Sequence, residues 1–177
     1  MKVQHQTHPD MQRLAERLEG QRTAMLTLRD AQGQLDARPL TPLEMDSGGA
    51  LWMLVSQKAL SPFLGAGAQP ANLAFSDEGR SLFVSIIGNA WLADDAARKQ
   101  ALWTVMARPW FSGVDDPDLA VLCVQPVSAE VWDGPDNSVM RMMAMAASVA
   151  AGKPIGMGDH EVLRPQVGQD TLRPPMN

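Results

Sequence analysis

The stretch that decides the fold is Arg22-Thr23-Ala24-Met25-Leu26-Thr27-Leu28-Arg29-Asp30-Ala31-Gln32-Gly33-Gln34-Leu35-Asp36-Ala37-Arg38-Pro39-Leu40. From Arg22 the period of the sequence is about two, the spacing of a half-buried strand. Asp30 to Gln34 then supplies turn-forming residues before a second strand-like run. The segment therefore predicts a β-hairpin. Pro39 lacks the N–H that a ladder needs, so the second strand belongs at a sheet edge or carries a bulge there.

Working outward, Pro9-Asp10 followed by Met11, Leu14, Ala15 and Leu18 predicts a short amphipathic helix ended by Gly20. After the hairpin, the turn Ser47-Gly48-Gly49 leads into Ala50-Leu51-Trp52-Met53-Leu54-Val55, a dense apolar run of strand length. Ser61-Pro62 suits the cap and first turn of a helix one or two turns long. Asn72 to Ser76 and Ser81 to Ile87 flank the turn residues Asp77-Glu78-Gly79-Arg80 and predict a second hairpin. Asp94-Asp95 opens a helix through Leu102, Trp103 and Met106 that Pro109 closes, with acids at the end the macrodipole favours. Leu119 to Val127 reads as a buried strand continuing through Ala129 to Trp132 past a bulge at Pro126. Val139 to Ala147 reads as a helix rich in methionine. The expected architecture is β-rich α+β, with residues 10–153 as one domain and 154–177 as an extended, poorly ordered tail.

Composition excludes several classes. The chain has 177 residues, 15 basic against 20 acidic, for a formal charge of −5. Without a Lys/Arg cluster a nucleic-acid surface is not expected, because phosphate binding rests on concentrated positive charge. The uncharged stretch that offers itself as a membrane crossing, Met142 to Gly152, is eleven residues, about half of a spanning helix. No secretory signal opens the sequence, so the expected location is the cytoplasm. Cys123 is the single cysteine, and His5, His8 and His160 are scattered, so neither a disulfide nor a metal site is expected. In its apolar strand Cys123 reads as a buried small hydrophobe. There is no Gly-x-Ser-x-Gly elbow, no Gly-x-Gly-x-x-Gly and no phosphate loop. Asp94-Asp95 and Asp115-Asp116 read as caps and turns, and no catalytic residue is assigned.

Two features invite a ligand. Between Asp30 and Gly79 the only basic residues are Arg38 and Lys58, on or just after two predicted strands, where two cations can meet one anion. The aromatics are five Trp and four Phe without a Tyr. Trp52 is expected in the core. Trp110-Phe111 and Trp132, amid Pro, Gly and Asp, are expected as interface anchors or ligand contacts, and the Met-rich helix as core or a dimer face.

Met25-Leu26-Thr27-Leu28, Ala37-Arg38-Pro39-Leu40, Gly49-Ala50-Leu51-Trp52-Met53, Asn72 to Asp77 and Val84 to Ala90 fall in a familiar order. With the more specific runs Trp110 to Leu119 and Glu130 to Pro135, they resemble the general-stress-protein branch of the pyridoxamine 5′-phosphate oxidase-like, FMN-binding split-barrel family. The likeness runs roughly from Asp10 to Lys153. It implies a six-stranded antiparallel split β-barrel with flanking helices that forms a homodimer and holds FMN in clefts at the subunit interface. Arg38 would face the FMN phosphate or ring edge, while Pro39 and Leu40 present backbone groups to the isoalloxazine. Leu54, Val55 and Ser56 would add contacts at the end of their strand, and Trp132 and Trp110 would reach the cleft across the dimer.

In one place the sequence departs from the family pattern. Where a Ser, one residue and a Lys usually hold the phosphate, this chain reads Ala59-Leu60-Ser61. Lys58, Ser61 and the N-terminus of a helix beginning at Ser61-Pro62 are the substitutes on offer. The resemblance thus implies a flavoprotein of the general stress type, an oxidoreductase whose chemistry belongs mainly to its cofactor. Pyridoxamine phosphate oxidation itself would need further cations for the substrate's phosphate. The alternatives are a non-enzymatic binding or sensing dimer whose degenerate cleft takes FMN, haem or another flat ligand, and a structural dimer without one.

Overall fold

The computed structural model describes residues 1–65, 67–134, 138–153 and 158–164. Six long strands form its frame: β2 (Ala24–Arg29), β3 (Leu35–Leu40), β5 (Leu51–Ser56), β6 (Gln69–Asp77), β7 (Leu82–Ala93) and β8 (Leu119–Asp133). Three shorter strands extend it, β1 (Lys2–Val3), β4 (Glu44–Met45) and β9 (Asp159–Leu163). All join one sheet in the order β1-β4-β5-β8-β7-β6-β2-β3, with β9 added on β8. Every pairing is antiparallel except β1 with β4. The β-rich α+β architecture with six principal strands is as expected, and the sheet is curled but not closed.

Alternation places the core. Ala24, Leu26 and Leu28 of β2, Leu51, Met53 and Val55 of β5, and Val84 and Ile86 of β7 point inward into one apolar cluster. Helix α1 (Pro9–Leu18) adds Met11, Leu14, Ala15 and Leu18, one apolar stripe at helical spacing. The Nδ1 of His8 accepts from the Asp10 N–H to cap it, and Gly20, at φ +81°, turns the chain away where a side chain would be strained. Both hairpins form as the sequence predicts, and Pro39 sits in the edge strand β3.

Residue Val127 is the extra residue of the expected bulge. Ile87 faces Ser128 while Gly88 faces Pro126. The two backbones approach so closely here that a Cβ built on Gly88 would fall inside contact distance of the Gln125 carbonyl oxygen.

Several expectations need correction. Helix α2 spans Gln57–Leu64 with Ser56 as its cap, so Ser61-Pro62 lies in its final turn and not at its start. Helix α3 (Ala96–Leu102) is capped by Asp95, which accepts from the Arg98 N–H, but ends at Trp103. Thr104 is extended before a single 3-10 turn, Val105–Ala107. Trp52 is half-buried and not in the core: its indole N–H donates to Asp46 (2.7 Å) and the Arg98 guanidinium lies 3.8 Å from its ring centre. Trp132 lies in β8, as the continued strand predicts. Beyond Lys153 the chain is not wholly loose, because β9 pairs with β8 and buries Leu163. Helix α4 (Ser138–Ala151) forms as expected but is not core: Met142, Met143, Met145 and Val149 are exposed. Pro135 and the rest of the tail, 154–157 and 165–177, lie outside the described residues.

Replacing Gly88 by Ala should destabilise the fold by about 2 kcal/mol, because neither backbone has room to yield. Urea denaturation of the variant against the parent checks this, with an unchanged midpoint counting against the bulge geometry.

Candidate functional site

Strand β3 pairs only with β2 among the described strands, so its far edge carries free backbone groups. Successive side chains point to opposite faces of a strand. Arg38 lies opposite buried Leu26, and Leu40 opposite buried Ala24, so both turn toward the core side. Pro39, opposite Met25, faces outward. At a sheet edge a long side chain turned inward can still pass over the rim. The Arg38 guanidinium does so: Nη1 donates to the Ala59 carbonyl of α2 at 2.9 Å, Nη2 pairs with Asp36 at 3.0 Å, and its carbon lies 4.3 Å from the Phe63 ring centre. Arg38 therefore bridges the seam between β3 and α2.

The start of α2 forms the other wall. A helix leaves its first N–H groups without intrahelical partners, and these usually make it a site for anions. Here three are taken. Asp118 accepts from Gln57 N–H through its backbone carbonyl (2.7 Å) and from Lys58 N–H through Oδ1 (2.9 Å), while Ser56 Oγ accepts from Ala59 N–H (3.2 Å). The Ser56 hydroxyl in turn donates to Asp118 Oδ2 at 2.7 Å. Asp116 holds the approaching loop by accepting from Ser112 N–H, Ser112 Oγ and Asp118 N–H. Hydrogen bonds from the Ser112 and Asp118 amides hold the Asp116 carboxyl below the usual carboxylate range. Those from the Lys58 amide and the Ser56 hydroxyl do the same for Asp118.

Arg38, Ser56, Lys58 and Ser61 thus gather at the seam, though in altered roles. Ser61 Oγ donates to the Gln57 carbonyl one turn back (2.6 Å) and caps nothing. Lys58 is exposed and makes no ion pair among the described residues. Val55 is buried in the core and Leu54 is half-buried on the opposite face, so β5 reaches the seam only at Ser56. Pro39 and Trp132 stand apart on the outer face of the sheet. There a cleft of about 410 Å³ is lined by Met25, Ala74, Phe83 and Trp132, and Trp132 stacks on His160 with ring centres 5.2 Å apart. Trp110 is exposed on the loop before β8. The sequence did not single out Asp118, Asp36 or Phe63, each of which touches the groups it did.

The seam presents the free edge of β3, the Phe63 ring beneath the Arg38 guanidinium, and two side-chain cations. It does not offer the amides of α2. The thiol of Cys123, fully buried, is pushed far above its usual pKa by burial, and among the described residues no three His, Cys, Asp or Glu side chains gather as a metal site.

Residues 9–155 match the family model described as pyridoxamine 5′-phosphate oxidase like. The chain belongs to the general-stress branch of this family. A structure described as a general stress protein 26 of Jannaschia sp. CCS1 is 27% identical, with a TM-score of 0.67, covering 84% of this chain and 94% of that one. A general stress family protein of Xanthomonas campestris pv. campestris is 34% identical (TM-score 0.60; 72% and 88% covered). The general stress FMN/FAD binding protein of Xanthomonas citri is 33% identical (TM-score 0.59; 70% and 87% covered). No curated protein matches the chain. Among the described residues no helix is long and apolar enough to cross a membrane.

Since Asp116 and Asp118 both ionise more readily when folded than the ordinary value of 3.8, the stability they add is complete above about pH 4. It is lost as the pH falls through their lowered values. Thermal melts between about pH 6 and pH 2 should show a shallower acid limb for Asp116→Asn than for the parent.

Proposed function

We propose that this protein binds a flavin, FMN, non-covalently at the seam between β3 and α2, as a homodimer. The observation that carries the reading is the position of Arg38, fixed over Phe63 at the free edge of β3 with further N–H donors beyond those given to Ala59 and Asp36. A guanidinium held in this way suits a phosphate oxygen. Lys58 supplies a second, exposed charge at the head of α2. The backbone of Pro39 and Leu40 lies along the same edge and suits the hydrogen-bonding rim of a flavin ring. The FMN/FAD binding named for the Xanthomonas citri relative supports the ligand class.

Bound flavin would supply redox chemistry, electron or hydride transfer with a partner the sequence does not name. The chain's own part is to bind and orient. A second reading, a binding or sensing dimer without turnover, is favoured by the acids Asp36, Asp116 and Asp118, which outnumber Arg38 and Lys58 there.

The outer cleft supports the dimer. Met25, Phe83, Ile87 and Trp132 are 40%, 43%, 51% and 40% exposed on one face of the sheet, and an apolar patch of this kind marks a contact surface. Pairing two such faces would bring Trp132 of each copy toward the other.

Arg38→Ala should weaken FMN binding by about 2 kcal/mol, roughly thirtyfold, in a fluorescence titration. Unchanged affinity would remove Arg38 from the site. Sedimentation should give a dimer at micromolar concentration, and Phe83→Glu, which places a charge on the outer face without touching the core, should give a folded monomer.

A further inference from the structure

Asp118 occupies the place at the head of α2 where an incoming anion would otherwise sit. Its carboxylate bonds Lys58 N–H and the Ser56 hydroxyl, its carbonyl takes Gln57 N–H, and Ser56 takes Ala59 N–H. The helix N-terminus is thus saturated by the protein's own anion. The placement is rigid, since Ser56 and Leu119 are ladder partners in the pairing of β5 with β8, which fixes Asp118 beside the cap. Asp116 holds the Asp118 amide at 2.9 Å across Pro117, whose ring limits the backbone between them. Lys99 Nζ adds a bond to the Leu119 carbonyl at 3.2 Å.

We infer that Asp118 is a specificity-determining residue of the seam: it closes the α2 amides to phosphate, so a phosphorylated ligand is gripped by the Arg38 and Lys58 side chains alone. The inference rests on the flavin reading for its ligand but not for its mechanism. A phosphate monoester carries a charge between −1.5 and −2 near neutrality. It would meet both occupied donors and a like charge, while the flavin ring feels neither. The site should therefore prefer FMN over its dephosphorylated form, riboflavin, only by what those two side chains supply, a contribution that fades with salt because both cations are partly exposed.

Asp118→Asn tests this, because the amide oxygen still accepts from Lys58 N–H while the charge is gone. The FMN-to-riboflavin affinity ratio should rise about tenfold, with riboflavin affinity unchanged. Lys58→Gln in the otherwise native chain should lower that ratio by a similar factor. An unchanged ratio in both variants overturns the inference. Backbone amide NMR provides a reading independent of flavin. On titration with inorganic phosphate, the Lys58 resonance should stay fixed in the parent and in Asp118→Asn, where its N–H keeps an acceptor, and shift in Asp118→Ala, where both acceptor and charge are gone. Shifts in the parent overturn the inference. If neither flavin binds either protein, the flavin reading fails on its own, and the amide titration still decides the role of Asp118.

Discussion

A single sheet encloses a core only if it curls until its distant strands face each other, and the contact of Arg38 with α2 marks where that happens. β3 ends the sheet, while α2 follows β5, five strands away along the path. Nothing in the ladder joins them. The join is one guanidinium resting on an aromatic ring and a carbonyl, a polar fastening at the mouth of an apolar interior. The rest of the curl is secured by backbone pairing, and this contact coincides with the candidate ligand site.

The electrostatics of that mouth run against its geometry. A free strand edge and stacked Arg38 favour a flat, anionic partner, yet the helix that might have reinforced them is already satisfied. The local charge is a near balance of acids and cations, so small changes of sequence can tilt it either way. Such a balance lets one fold serve ligands that differ in charge, which is how a shared scaffold comes to host different functions.

Much of this was legible in the chain. Alternation around Leu26, Met53 and Ile86, the two hairpin turns and the helix from Pro9 follow from local pattern, as does the edge position of Pro39. What escaped was set by distance in sequence. Ser56 and Asp118 lie 62 residues apart, so no local signal shows that the cap at the head of α2 is Ser56 and not Ser61. Ser61-Pro62 has the composition of a helix start, but the ladder between β5 and β8 places the turn earlier. Trp52 looked like core because its neighbours are apolar; its cross-strand register with Glu44 puts it beside Arg98. The sparse positive charge pointed to Arg38 and Lys58, while Asp118, inside one of the runs that carry the resemblance, gave no local sign of its role, because that role depends on a loop meeting the head of α2 from far along the chain.

The short strand β9 has a further consequence. β5 covers one flank of β8 only from Leu119 to Val124, and from Ala129 to Asp133 that flank would otherwise present bare peptide groups. A bare flank of this kind is a template on which foreign chains assemble into aggregates. With β9 in place, β8 has a neighbour on this flank from Leu119 to Val124 and from Ala129 to Asp133, and only Gln125 to Ser128 around the bulge lack one. Strand β9 therefore closes to foreign strands a flank that would lie open to them if Asp159–Leu163 were removed.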